Sequence, residues 1–188
     1  MEAFLICLGS VALAEMGDRT QLLSLVLAAR FQKPWTILAG VLCATLANHG
    51  LAGLLGAWFG RFLQPRWLDL AVGLSMAGLG LWALVPDDLD GEVAEARRPN
   101  VFLTTLVAFF IAEIGDKTQF ATLALAAAYP NLGAVVAGTT CGMLLANAPA
   151  AFLGNAFASR LPLRAIRLTA SVLFVVIGGL FVWRALGR

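Results

Sequence analysis

The residues able to do chemistry are concentrated in two short stretches. Glu15-Met16-Gly17-Asp18-Arg19-Thr20-Gln21 returns, 98 positions later, as Glu113-Ile114-Gly115-Asp116-Lys117-Thr118-Gln119. Carboxylates, amides and hydroxyls are oxygen donors, which suit hard or borderline divalent ions such as Mn²⁺, Ca²⁺ or Mg²⁺. Zinc and copper sites draw on His or Cys, which neither stretch contains. The candidate metal ligands are therefore Glu15, Asp18, Gln21, Glu113, Asp116 and Gln119, with Thr20, Thr118, Asn48 and Asn147 as additional ligands or supports. Residues three apart on an α-helix are neighbours, so each Glu–Asp pair is expected on one helix face, with its Gln about a turn further on. Gly17 and Gly115 allow either a close helix approach or a local break that frees backbone carbonyls. Arg19 and Lys117 are the charge partners. Four acids and two bases sum to −2, a charge that one divalent cation or two protons would neutralise, which suggests exchange. The competing reading is packing by ion pairs alone, Glu15 or Asp18 with Lys117 and Glu113 or Asp116 with Arg19. Repetition of the Gly, Thr and Gln along with the charges argues against it.

The elements that must position these groups are membrane spans. The chain is 60% hydrophobic and only 13% charged, far from soluble averages of roughly 45–50% and about 25%, and its mean hydropathy is +0.86. Apolar runs at about 3–29, 35–58, 67–85, 101–128, 132–157 and 165–185 are each long enough to cross roughly 30 Å of hydrocarbon. The expected fold is all-α, with six transmembrane helices as two inverted-topology three-helix repeats. Pro34, Pro65, Pro130 and Pro162 punctuate four of the turns, where a missing N–H costs little. The longer acidic connection from Pro86 to Pro99 divides the chain into a first repeat, 1–85, a linker, 86–100, and a second repeat, 101–188. Beyond the motifs, Ala39-Gly40 and Cys43 recur as Ala137-Gly138 and Cys141, and Ala47-Asn48 as Ala146-Asn147 after a slip of one. Three spans per half oblige the second half to enter the membrane from the opposite side. Seven basic residues (Arg30, Lys33, Arg97, Arg98, Arg160, Arg164, Arg167) fall on one side against four (Arg61, Arg66, Arg184, Arg188) on the other. The positive-inside tendency then puts the linker in the cytoplasm and both termini outside it.

Other features are read more plainly. The first segment lacks a basic n-region and carries charge where a signal peptide would be apolar, so it is expected to remain as a span. Cys7, Cys43 and Cys141 sit in apolar runs without metal or redox spacing and read as small hydrophobes. A net charge of +2 with no basic stripe excludes nucleic acid as a partner. His49, present in the first half only, is a proton participant or a packing residue. The five Trp residues lie near span ends, as interfacial anchors do. The acidic linker has no EF-hand spacing and reads as a solvated connection.

With both motifs in view, the chain resembles the small cation/proton exchangers that carry a duplicated Glu-x-Gly-Asp-(Lys/Arg)-(Thr/Ser) signature, a family with bacterial manganese exporters and Golgi and chloroplast manganese/calcium transporters. Glu15 to Thr20 and Glu113 to Thr118 match it without departure, and the resemblance spans essentially the whole chain. It implies a transporter rather than an enzyme, exporting Mn²⁺, or also Ca²⁺, from the cytoplasm in exchange for H⁺. The acidic residues of both motifs would bind the ion, with no cofactor. It further implies a multi-pass protein of a bacterial plasma (inner) membrane, with membrane lipid and the divalent cation as partners and homo-oligomerisation left open. Two other readings remain: export of a small organic solute such as a basic amino acid, and an intramembrane aspartyl protease using Asp18 and Asp116.

Overall fold

The computed structural model describes residues 1–85, 100–153 and 162–187. The acidic linker, the end of the fifth expected span, and Arg97, Arg98, Arg160 and Arg188 of the charge count lie outside the described residues. The described chain is all-α, with no strand among those residues. Its eight helices are α1 (Glu2–Glu15), α2 (Arg19–Phe31), α3 (Pro34–Gly60), α4 (Pro65–Trp82), α5 (Val101–Glu113), α6 (Lys117–Ala128), α7 (Leu132–Leu153) and α8 (Leu163–Leu186). Pro34 and Pro65 open α3 and α4, and Pro162 caps α8, where the absent N–H is no loss.

The expected first and fourth spans are each two helices. Their apolar runs are continuous enough in composition, but the chain leaves helical geometry at Met16 and again at Ile114, both extended, and turns at Gly17 (φ 81°) and Gly115 (φ 76°). Left-handed backbone of this kind costs an ordinary L-residue about 1–2 kcal/mol, so glycine is the residue that lets the break form. Three helices, Pro34–Gly60, Leu132–Leu153 and Arg164–Leu186, are each long and apolar enough to cross a membrane unaided, and Val101–Glu113 is a shorter apolar helix.

Because lipid is as apolar as Leu, helices in a bilayer associate through close packing rather than expulsion of water. The contacts carry that mark. α1 lies on α7 and α5 lies on α3, and each crossing is made at a glycine. A Cβ at Gly138 would stand 2.5 Å from the carbonyl oxygen of Phe4, and one at Gly40 would stand 2.7 Å from Cβ of Thr105. Two buried clusters result. One gathers residues of α1, α4, α6, α7 and α8 around Met76, Leu125 and Phe174; the other gathers α1, α2, α3, α5 and α7 around Val41, Phe109 and Met143. The α4/α8 pair contributes to the first only. Large side chains such as Leu51, Leu54, Leu74, Leu168, Val172 and Leu180 point outward, an exterior suited to hydrocarbon. Trp35, Trp58, Trp67, Trp82 and Trp183 are exposed, all within a few residues of a helix end, as expected of interfacial anchors.

Candidate cation site at the two helix breaks

Each motif builds the same local device. Glu15 is the last residue of α1, and Asp18 is the N-cap of α2, its Oδ1 accepting from the Arg19 N–H at 2.7 Å. Glu113 ends α5, and Asp116 caps α6, accepting from the Thr118 N–H at 3.3 Å. The Asp18 N–H donates to the Glu15 carbonyl (3.1 Å), as the Asp116 N–H does to that of Glu113 (3.2 Å). The reading of Glu and Asp as i, i+3 neighbours on one helix face is therefore corrected. The intervening residues are not helical, and the carboxyls meet because the backbone turns between two half-helices. The alternative expectation, a break at the glycine, is the one the fold adopts.

The two glutamines secure these breaks. Oε1 of Gln21 accepts from the Gly17 N–H at 2.8 Å, and Oε1 of Gln119 accepts from the Gly115 N–H at 2.9 Å. One of the two lone pairs on each amide oxygen is thus engaged by the turn. Their amide nitrogens reach the other half: Gln21 donates to the Ala146 carbonyl at 2.6 Å and Gln119 to Oδ1 of Asn48 at 3.4 Å. Asn48 in turn donates to the Phe110 carbonyl at 3.0 Å, an acceptor in the last turn of α5. Asn147 accepts from the Ser24 hydroxyl at 2.8 Å and donates to the Met143 carbonyl at 3.1 Å. Both asparagines therefore tie broken helices to α3 and α7. Sequence reasoning missed Ser24; one turn beyond Gln21 on α2, it was detectable only as a polar residue in an apolar run.

All four motif carboxyls are buried. Thr20 donates to Oε2 of Glu15, and the Thr118 hydroxyl lies 3.5 Å from Oε2 of Glu113 and 3.2 Å from Oδ2 of Asp116. Oxygens of Glu15, Asp18 and Asp116 lie within 4.8 Å of one another, a spacing one cation can span. The charge partners cross between motifs: Nζ of Lys117 is 3.2 Å from Oδ2 of Asp18, and Nη2 of Arg19 is 3.3 Å from Oδ1 of Asp116. Both aspartates are compensated in this way. Oε1 of Glu15 and Oε1 of Glu113 are buried without a hydrogen-bond partner among the described residues. Each glutamate also stands at a helix C-terminus, whose exposed carbonyls carry partial negative charge and favour a cation. His49, fully buried on α3, places Nε2 3.6 Å from Oε2 of Glu113.

Broken helices that present carboxylates at a buried junction of two related halves define a membrane protein that handles a cation. Comparison with known proteins makes this specific. Residues 3–91 and 101–188 match the family model "Divalent cation/proton antiporter GDT1", and the chain belongs to that family. It is 47% identical over 180 residues to a Vibrio cholerae protein named "Putative manganese exporter", covering 94% of this chain and 88% of the relative. A Synechocystis GDT1-like protein is 28% identical over 204 residues, 97% of this chain and 98% of the relative. GDT1-like protein 5 of Arabidopsis thaliana is 26% identical over 216 residues, 95% and 94% respectively. No solved structure matches the chain.

Proposed function

We propose that this protein exports a divalent cation, foremost Mn²⁺, from the cytoplasm in exchange for two protons, at a site formed by Glu15, Asp18, Glu113 and Asp116. The observation that carries the reading is the crossed pairing. Lys117 and Arg19 offset the two aspartates, so the −2 of the two motifs rests on Glu15 and Glu113. A charge at membrane depth is expensive, about 2.5–3.5 kcal/mol on insertion scales. Two buried carboxylates carrying this residual charge are therefore stable there only with a divalent ion at the site or with a proton on each. One occupant leaves as the other arrives, and an empty, doubly charged site is the disfavoured state that prevents leak.

In this reading Gln21, Gln119, Asn48 and Asn147 hold the breaks in shape, and Thr20 and Thr118 orient the carboxylates. Lys117 and Arg19 set the residual charge. The two halves, 1–85 and 101–188, act as inverted repeats of three spans each, with the broken helices α1–α2 and α5–α6 counting as one span apiece. The linker is cytoplasmic, both termini are outside, and the membrane is a bacterial inner membrane. The Mn²⁺ preference follows the name of the Vibrio cholerae relative; the oxygen-rich donor set suits Mn²⁺ and Ca²⁺ alike.

Purified protein in liposomes under an imposed pH gradient tests this, with internal pH and Mn²⁺, Ca²⁺ or Mg²⁺ followed together. Mn²⁺ movement should drive opposite proton movement, and Glu15→Gln and Glu113→Gln should each remove both. Intact exchange in both variants would show that the site lies elsewhere.

A further inference from the structure

We infer that His49 is a nitrogen ligand of the transported cation and biases the site toward first-row transition metals over Ca²⁺ and Mg²⁺. The inference rests on the exchange site proposed above and names the chemistry that selects its substrate.

Three observations carry it. His49 is fully buried, and neither ring nitrogen has a hydrogen-bond partner among the described residues. A buried imidazole without partners is costly, because its polar atoms have been desolvated with no return. Nε2 nonetheless faces Oε2 of Glu113 at 3.6 Å, beyond the usual range of an N–H···O bond. Two ligand atoms about 2.1–2.2 Å from a first-row metal ion, at an angle of about 110–120°, stand roughly 3.4–3.8 Å apart. The pair is thus spaced to share a cation rather than a proton. Oε1 of Glu113 is also without a hydrogen-bond partner among the described residues, and the Thr118 hydroxyl links the same carboxylate to Asp116 of the acidic cluster.

The residue is also one-sided. His49 follows Asn48, and the residue after the matching Asn147 is Ala148, so the second half offers no imidazole. The carboxylates are duplicated and set the charge; the imidazole occurs once and sets the kind of ion. Ca²⁺ and Mg²⁺ take oxygen ligands, whereas a nitrogen donor gives preference to divalent transition metals. An all-oxygen site would bind Mn²⁺ and Ca²⁺ with little to separate them.

The chain contains a single histidine, which makes a direct test available on tag-free protein without any substitution. Pulsed electron paramagnetic resonance of Mn²⁺ bound to the wild type should show coupling to an imidazole nitrogen. That coupling should vanish in His49→Gln, and the preference for Mn²⁺ over Ca²⁺ in liposome exchange should fall by about tenfold or more, the lower range seen when a supporting metal-site residue is lost. Bound Mn²⁺ without nitrogen coupling in the wild type overturns the role of His49 while leaving the carboxylate site standing. An unchanged Mn²⁺/Ca²⁺ ratio in His49→Gln, with both ions slowed equally, does the same and marks the residue as structural. A wild type with no Mn²⁺-driven proton movement sinks the exchange reading, and the ligand assignment with it.

Discussion

Lys117 in the second motif lies 3.2 Å from Asp18 in the first, with its side chain only 3% exposed. Its counterpart, Arg19 with Asp116 at 3.3 Å, has an arginine that is 39% exposed. The two pairs have the same pattern, although the two cations differ in exposure. Loss of either cation strands a carboxylate that is at most 2% exposed, and a buried charge left without its partner typically costs about 3–5 kcal/mol.

Lys117→Met and Arg19→Met should therefore each destabilise the folded protein, and thermal unfolding in detergent would show a drop in Tm for both. Adding Asp18→Asn to Lys117→Met, or Asp116→Asn to Arg19→Met, should recover much of it by removing the stranded carboxylate. Double variants no more stable than the single ones would argue against the crossed pairing.

Charge bookkeeping across the motifs makes exchange of one divalent cation for two protons electrically silent. The Mn²⁺-driven proton flux in liposomes should then be unaffected by a potassium diffusion potential of either sign, set with valinomycin. A rate that scales with the imposed potential would mean a different stoichiometry.

The break at Gly115 separates backbone strain from crowding. A Cβ there meets nothing within 4 Å, yet φ is +76°. Gly115→Ala should cost about 1–2 kcal/mol through conformation alone, and Gly115→Asn less, since Asn enters the left-handed region more readily. Ordering Gly, Asn, Ala in thermal stability checks this; an Ala variant as stable as wild type would contradict the geometry of the turn.

Packing of α1 on α7 gives the opposite case. Gly138→Ala would place a methyl 2.5 Å from the Phe4 carbonyl oxygen, so the helices must separate and both stability and exchange should fall. Gly9→Ala on the same α1 meets nothing within 4 Å and should be neutral or stabilising by about 0.5–1 kcal/mol. Tm and initial exchange rate for the two variants provide the comparison.

Much of this protein is determined by sequence alone, because the signals are local. Apolar runs and the prolines at 34, 65 and 162 mark helices and their starts, since burial in a bilayer and the loss of an N–H are properties of a short stretch. The two motifs, their identical order and the sum of their charges are also local facts, and Gly17 and Gly115 announced that a break was permitted. Whether the break formed was a different matter. Helical propensity would carry the chain through 16 and 114. The bonds that divert it include those from the Gln21 and Gln119 amides to Ala146 and Asn48 in the opposite half, and no local pattern contains them. Only the tertiary structure decided that Lys117 meets Asp18, that Glu15 and Glu113 each keep an oxygen without a hydrogen-bond partner among the described residues, and that His49, far from either motif in sequence, faces Glu113. Compensation of charge depends on distances of a few ångströms between segments about a hundred residues apart. The sequence names the charges, and helix packing chooses which of them pair.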